Sequence, residues 1–207
     1  MTRQEELDII ARVLAGDTDA FEFLVREHEK LVYNLALRML GNEQDALDAS
    51  QEAFFRAYRA LDSFRADSKF SVWLYRVTHN VCMDMLRHRS RAGDSLSLTD
   101  QEGDELSLPD TRFDPEAELE KKELRQAVRE GLQKLEPAFR QALVLREING
   151  LSYEEIGQAM DLEPGTVKSR IFRARRKLAV YLAANGNFSA LAPTKDTEKG
   201  GAEHEKL

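Results

Sequence analysis

The sequence predicts an all-α protein built from two small helical domains that are joined by a flexible acidic linker. Apolar residues recur at steps of three, four and seven in almost every segment, and no alternating run is long enough for a strand. A hydrophobic fraction of 42% supports packed cores in a chain of 207 residues. Residues 92–120 hold ten acidic residues and one basic residue, which is typical of a linker. Residues 183–207 are expected to form a disordered tail.

Residues 1–91 form the first predicted domain, in which apolar stripes at helical spacing predict four helices. The predicted bounds are Leu7 to Leu14, Phe21 to Met39, Glu43 to Leu61 and Phe70 to Arg89. Gly16 and the pair Gly41-Asn42 end the first two helices, because glycine and asparagine readily adopt the left-handed conformation that closes a helix. A polar loop separates the third helix from the fourth.

Residues 121–182 form the second predicted domain, whose best-defined element is a pair of helices. Ser152 and Glu155 have the spacing of a capping box. A tight turn follows at residues 161–163, and Pro164 opens the next helix, where its missing N–H costs nothing. This arrangement is typical of a helix-turn-helix.

The second helix of this pair carries charges of one sign, although the whole chain has a net charge of −7. Its charged residues from 164 to 177 are all basic. A DNA duplex would relieve their mutual repulsion, and an ordinary solvated basic face is the alternative. The N-terminal part of such a helix meets base edges in the major groove. We therefore assign base readout to Thr166, Lys168, Ser169, Arg170 and Arg173, and phosphate contacts to Arg175, Arg176 and Lys177.

The third helix of the first domain presents an acidic face. Asp45, Asp48, Glu52 and Phe55 share one side at about 100° per residue, and no basic residue occurs between positions 41 and 55. An acidic face with an aromatic residue at its edge suits a protein partner better than DNA. A solvated helix surface is the alternative interpretation.

The fourth helix is basic where the third is acidic. Between residues 71 and 91, four arginines accompany a single acid, Asp84. Aromatic rings beside cations and amides are suited to stack unpaired bases, and the polar loop before this helix can capture a flipped base. For Trp73 and Phe70 a place in the core is the alternative. The face of the fourth helix opposite its apolar stripe contains Trp73, Arg76, Asn80, Asp84, Arg87 and Arg91, and the loop adds Phe64, Arg65 and Lys69.

Together these residues resemble the bacterial extracytoplasmic-function sigma factors. The run from Leu61 through Trp73-Leu74-Tyr75-Arg76 to Asp84 is similar to their promoter-melting region. Residues 41–55 resemble their core-polymerase-binding helix. Residues 151–156, followed by residues 165–170, resemble their −35-reading helix-turn-helix.

The resemblance implies a division of roles. Binding to the coiled coil of the polymerase β′ subunit falls to Asp45, Asp48, Gln51, Glu52 and Phe55. Recognition and melting of the −10 element fall to Phe64, Arg65, Lys69, Trp73, Tyr75, Arg76, Asn80, Asp84 and Arg87. The second domain would contact the −35 element and the flap of the β subunit, and the acidic linker would run toward the RNA exit path. The carboxylate of Asp84 can accept a hydrogen bond from a cytosine amino group.

The resemblance also implies an anti-sigma factor, often anchored in the membrane, that keeps the protein inactive until stress. The chain has no apolar run of the roughly 20 residues that span a bilayer and no secretory signal. We therefore expect a cytoplasmic bacterial protein without direct membrane insertion. The single cysteine, Cys82, is either a small apolar filler or a redox switch.

Two other classes of function compete with this interpretation. A stand-alone helix-turn-helix regulator would need a ligand pocket or a dimer seam in its first half. An enzyme would need a catalytic set, but His28-Glu29 is followed by Val32, where a zinc-protease helix has its second histidine. Since no P-loop or dinucleotide motif occurs either, we expect no catalytic residue, no metal and no cofactor.

Overall fold

The computed structural model describes residues 1–92 and 115–185, and within these ranges it contains eight α-helices and no strand. None of the described helices is long and apolar enough to cross a membrane. The predicted all-α fold class is confirmed. The helices are α1 (Arg3–Leu14), α2 (Phe21–Leu40), α3 (Glu43–Arg59), α4 (Phe70–Ala92), α5 (Pro115–Lys134), α6 (Pro137–Glu147), α7 (Tyr153–Met160) and α8 (Pro164–Asn185).

Helices α1 to α4 form the first bundle, in which α2, α3 and α4 pack against one another and α1 lies on α2. Bulky core residues such as Leu24, Leu35 and Leu74 come from α2 and α4. Cys82 belongs to the same core, and burial raises the pKa of its thiol to about 12, which favours the apolar-filler interpretation over a redox switch. Small side chains let α3 approach its neighbours closely, since its buried residues are Ala46, Ala49, Ala53 and Ala57.

Helices α5 to α8 form the second bundle around Leu145, Ile156 and Ile171, which are all fully buried. The predicted capping box is present at the start of α7. The Ser152 hydroxyl accepts a hydrogen bond from the Glu155 amide at 3.1 Å, and the Ser152 amide donates to the Glu155 carboxylate at 2.9 Å. These two bonds satisfy amides that would otherwise lack partners, and so they fix where α7 begins.

Two of the differences between observed and predicted bounds concern the linker and the tail. Helix α5 begins at Pro115, inside the segment 92–120 that the sequence assigns to the linker. Proline suits the first turn of a helix, and the acidic residues that follow it are favoured at the positive end of the helix dipole. Helix α8 continues to Asn185, past the predicted start of the tail. The rest of the predicted linker, 93–114, and of the predicted tail, 186–207, lies outside the described residues.

The buried side chain of Arg140 in α6 joins the second bundle to the C-terminal end of α2. Its guanidinium donates to the carbonyl of Met39, to the carbonyl of Leu132 at 2.8 Å and to the side chain of Gln133 at 2.6 Å. Gln133 in turn donates to the carbonyl of Arg38 at 3.0 Å. Burial lowers the pKa of Arg140 to about 10, so the cation persists at neutral pH beside the negative end of the α2 dipole.

A second contact between the bundles joins α4 to α7. The ammonium group of Lys69 lies 2.8 Å from the carboxylate of Glu155, and the side chain of Asn149 lies near the phenol of Tyr75. The two bundles are therefore closed against each other, with the helix-turn-helix lying over part of α4.

Candidate nucleic-acid interface

The turn between α7 and α8 sets the direction of the recognition helix, the basic part of α8 from residue 164 to residue 177. Asp161 ends α7 in the left-handed conformation, with φ of 54° and ψ of 55°, which aspartate tolerates better than most residues. The Leu162 amide then donates to the Gly157 carbonyl at 2.9 Å. A Cβ atom on Gly157 would lie 2.6 Å from the Leu162 carbonyl oxygen. The turn is thus tight because residue 157 has no side chain.

We expect Gly157→Ala to lower the free energy of unfolding by about 1–3 kcal/mol, since the new methyl group overlaps a backbone atom that cannot rotate away. Thermal or urea unfolding measures this change. The control is Gly165→Ala, because a Cβ atom there meets nothing within 4 Å. That substitution should leave stability unchanged or raise it by roughly 0.5–1 kcal/mol. Equal effects of the two substitutions would contradict the account of the turn.

The recognition helix buries one side and exposes a cationic side. Val167, Ile171 and Ala174 pack inward, so the helical period turns the opposite face outward. The exposed face includes one residue that sequence reasoning missed, Phe172, whose side chain is 56% exposed. An exposed phenylalanine among cations is suited to contact a thymine methyl group. The exposed predicted residues on this helix are Thr166, Lys168, Ser169, Arg173, Arg175, Arg176 and Lys177.

Arg175 and Lys177, which the sequence assigns to phosphate contacts, hold protein carboxylates in this structure. Arg175 donates to Glu147 at 3.1 Å through Nε, and Lys177 lies 2.7 Å from Glu136. Both pairs lie at the surface, where an ion pair contributes about 0–1 kcal/mol. They can therefore exchange their carboxylates for DNA phosphates at little cost.

Trp73 and Tyr75, which the sequence assigns to the −10 element, are buried in the closed arrangement. Their side chains are only 6% and 3% exposed, because the first turns of α4 are covered by the first bundle on one side and by α7 on the other. Burial raises the pKa of Tyr75 to about 12. The Trp73 ring instead packs against Phe64, with ring centroids 5.6 Å apart, and against Phe70, at 5.5 Å. Both residues are core residues of the closed arrangement.

Asp84, which the sequence offers as an acceptor for a cytosine amino group, is paired with two arginines in this arrangement. Its carboxylate lies 2.8 Å from a guanidinium nitrogen of Arg56 and 2.5 Å from one of Arg87. Hydrogen bonds from Arg56 first, and then from Arg87, lower the pKa of this carboxyl group. The carboxylate is thus engaged by two cations at the surface of the closed arrangement. Sequence reasoning could not find Arg56, since it belongs to a different helix, α3.

Further along α4, the side chains of Arg76, Asn80 and Arg87 remain exposed. The loop before α4 is exposed at Arg65 and Lys69, while Phe64 is half-buried. A cavity of about 510 Å³ lies between this loop, α4 and the end of α7, and its volume is within the range of small-ligand sites. The cavity is lined by Ser63, Arg65, Asp67, Ser68, Val72, Trp73, Arg76, Gln158 and Asp161.

The imidazole of His79 lies near Arg170 of the second bundle, and we expect it to make the closed arrangement dependent on pH. Burial, and then the nearby charges of Arg87 and Arg170, lower its pKa from 6.5 to about 4. Above pH 6.5 the ring is neutral whether the bundles are packed or not. As the pH falls from 6.5 toward 4, the unpacked form takes up a proton that the packed form does not, so the packed form loses stability.

We therefore expect acidification from pH 7 to pH 4.5 to destabilise the packed form by roughly 2–3 kcal/mol, since about two pH units of the pKa shift are then expressed. Energy transfer between dyes on the two bundles, recorded with the unfolding midpoint across this range, measures the change. His79→Gln should flatten the pH profile, whereas His88→Gln, an exposed position on the same helix, should not. If His79→Gln leaves the dependence of stability on pH unaltered, that dependence does not come from His79.

The acidic face of α3 contains two exposed apolar side chains, Leu47 and Tyr58, beside the predicted Phe55. Phe55 is 56% exposed, and Leu47 and Tyr58 are also exposed; all three lie on the side of α3 opposite its alanines. Among the predicted acids on this helix, Asp48 is exposed, while Asp45 forms an ion pair with Arg89 and Glu52 forms one with Arg56. A mixed apolar and acidic surface of this kind is typical of a protein-binding site.

Comparison with known families matches both bundles. The Sigma-70 region 2 model matches residues 24–92, and the Sigma-70 region 4 model matches residues 125–178. The RNA polymerase sigma-H factor of Pseudomonas aeruginosa is 39% identical over 183 residues, which cover 86% of this chain and 94% of that protein. The ECF RNA polymerase sigma-E factor of Escherichia coli K12 is 40% identical over 173 residues, covering 82% of this chain and 90% of that protein.

Solved structures give the same result for the fold. CnrH, solved in complex with the cytosolic domain of CnrY, superposes with a TM-score of 0.61 at 29% identity, covering 86% of this chain and 97% of CnrH. The sigma factor RpoE of Bartonella quintana, solved with the anti-sigma factor NepR, superposes with a TM-score of 0.63 at 22% identity. That alignment covers 80% of this chain and 98% of RpoE.

Proposed function

The chain belongs to the extracytoplasmic-function sigma factors of the sigma-70 family, and we propose that it directs core RNA polymerase to promoters through three surfaces on two helical domains. The recognition helix reads the −35 element. The exposed part of α4 and the loop before it read and open the −10 element. The apolar and acidic face of α3 holds the β′ coiled coil. These roles require binding free energy alone, and they involve no covalent chemistry.

The observation that carries this proposal is the outward face of α8. Ser169, Phe172 and Arg173 lie on its exposed side, and this helix contains no acidic residue from Pro164 to Asn185. The cations on this face repel one another in the free chain. A duplex relieves that repulsion, because its phosphates supply the negative charges that the helix lacks. Base edges are then read by the polar and aromatic side chains between the phosphate contacts.

For the −10 element we propose that the wall of this cavity formed by the loop and α4, which stays with the first bundle when α7 moves away, receives a base flipped from the non-template strand. Unstacking a base costs a few kcal/mol, and stacking it on an aromatic ring returns roughly 1–3 kcal/mol. Trp73 already borders the cavity, while Arg65 and Arg76 line it and can hold the strand's phosphates. The free energies of unstacking and of stacking then nearly cancel, so contacts with the rest of the polymerase determine whether the strands open.

This function requires the two bundles to separate on the promoter. The two elements lie about 25 base pairs apart, which at about 3.4 Å per pair is about 85 Å. A chain with α7 packed on α4 cannot reach both elements. We propose that the closed arrangement is the inactive form, and that an anti-sigma factor binds and stabilises it until stress. The acidic segment between the bundles would weaken binding of the free chain to DNA, through its net charge of −9 in residues 92–120.

Affinity for core polymerase separates this function from that of a stand-alone helix-turn-helix regulator. We expect immobilised full-length chain to retain purified core polymerase at physiological salt, and to bind duplex promoter DNA weakly without it. A regulator would show the reverse behaviour. Tight binding of the free chain to promoter duplex, without retention of core, would overturn the proposal.

A further inference from the structure

We infer that the first turn of α1 positions the loop between Phe64 and Lys69, and so prepares the site that captures the flipped base. This inference rests on the proposed role of that loop. Helix α1 lies outside both matched family models, the first of which begins at residue 24. Its first turn begins at Arg3, because the side chain of Thr2 accepts from the Glu5 amide and Glu5 accepts from the Thr2 amide in a capping box.

The first link between α1 and the loop is a direct hydrogen bond. The guanidinium of Arg3 donates to the carbonyl oxygen of Ala66 at 2.7 Å, between residues 63 positions apart in the chain. Ala66 lies at the middle of the loop, and its side chain is exposed. An arginine bound to a backbone carbonyl fixes the course of the loop without using any loop side chain. The loop side chains remain available to DNA.

The second link is indirect and buried. The Glu6 carboxylate of α1 lies 2.9 Å from Nε2 of His28, and these side chains are only 14% and 8% exposed. The His28 ring lies 5.3 Å from the ring of Phe70, the first residue of α4. Phe70 in turn meets Phe64 edge to face, with centroids 5.4 Å apart. Both ends of the loop are therefore supported by one chain of contacts that starts at α1.

The two halves of α1 serve different purposes. Ile10 and Val13 are buried and anchor the helix on the first bundle, while Arg3 and Glu6 make the contacts that lead to the loop. A loop that is already ordered loses less conformational entropy when a base binds. Arg3 and Glu6 are thus positioning residues for base capture, and neither touches the base itself.

The test uses full-length chain assembled with core polymerase and a non-template-strand oligonucleotide that carries a −10 element. The same strand is also prepared with a single abasic site at each position in turn. The wild-type complex should lose affinity when the captured base is absent. Arg3→Ala should weaken binding of the intact strand by roughly five-fold and should change binding of the strand that lacks the captured base by much less. Such non-additivity is the signature of coupling between a residue and a base.

Control variants separate positioning from general stability. Arg12→Ala removes an exposed arginine of the same helix that pairs with Asp17 at 2.7 Å, away from the loop, and should behave as wild type. Glu6→Ala should act like Arg3→Ala, whereas Glu6→Gln, which keeps a hydrogen bond to His28, should restore most of the affinity. Equal losses on intact and abasic strands would overturn the inference. If no abasic site changes the affinity of the wild-type complex for the strand, the loop captures no base. In that case the proposed function of the loop itself fails.

Discussion

Replacing Arg173 and Arg176 together by alanine is expected to reduce transcription from a cognate promoter by about 100-fold, since each good contact of an arginine with DNA is worth roughly 1–3 kcal/mol. Both side chains lie at the exposed surface of the recognition helix, so their removal should leave the fold intact. Multiple-round transcription with core polymerase measures the loss. Affinity for core polymerase, measured without DNA, should not change.

The control for this prediction is Arg26→Ala. Arg26 is an exposed arginine of α2 that forms an ion pair with Glu22 at 2.6 Å, and it lies far along the chain from the helix-turn-helix. Its removal tests whether loss of any surface cation lowers transcription. A similar loss with this control, or reduced core affinity in the double variant, would mean that the basic face of α8 has been assigned to the wrong partner.

Replacing Asp48 and Phe55 by alanine is expected to lower affinity for core polymerase by about 100-fold while leaving the intrinsic DNA contacts unaltered, because exposed aromatic residues at interface centres often contribute 2 kcal/mol or more. Phe55 is 56% exposed and is bordered on α3 by Leu47 and Tyr58. Fluorescence anisotropy of labelled chain titrated with core polymerase measures the change.

A matched pair on the neighbouring helix provides the comparison. Phe23 and Glu29 of α2 are also an exposed phenylalanine and an exposed acid, and their replacement by alanine should leave core affinity within about two-fold of wild type. If both double variants bind core polymerase as tightly as wild type, α3 is not the docking face. If both fail equally, the effect is one of general surface composition.

The elements that the sequence predicted best were those with a local signal. The capping box at Ser152 and Glu155, the helix start at Pro164 and the end of α2 at Gly41 depend on residues a few positions apart, and each is present as expected. The start of α5 at Pro115 is harder to predict from the sequence, because acidic composition is typical of a linker and the same acids also favour the first turns of a helix.

The features that the sequence could not predict depend on contacts between distant segments. Trp73 and Tyr75 lie next to exposed positions on α4, but α7 covers them, and no spacing within α4 reveals that packing. The two cations around Asp84 come from α3 and α4. The role of Arg140 was equally hidden, since its partners include a carbonyl in the first bundle. Phe172 is within reach of the sequence, because it follows Lys168 by one helical turn, although its apolar character does not by itself indicate a contact with DNA.

Transcription from a genomic promoter pool tests the central claim most directly. Purified core polymerase is incubated with this pool, with and without the full-length chain, and the 5′ ends of the transcripts are sequenced. We expect the chain to produce a set of start sites preceded by two shared sequence elements, one at −10 and one at −35, with the −35 element lost from the set when Arg173 is replaced. No chain-dependent start sites on any template would contradict the account.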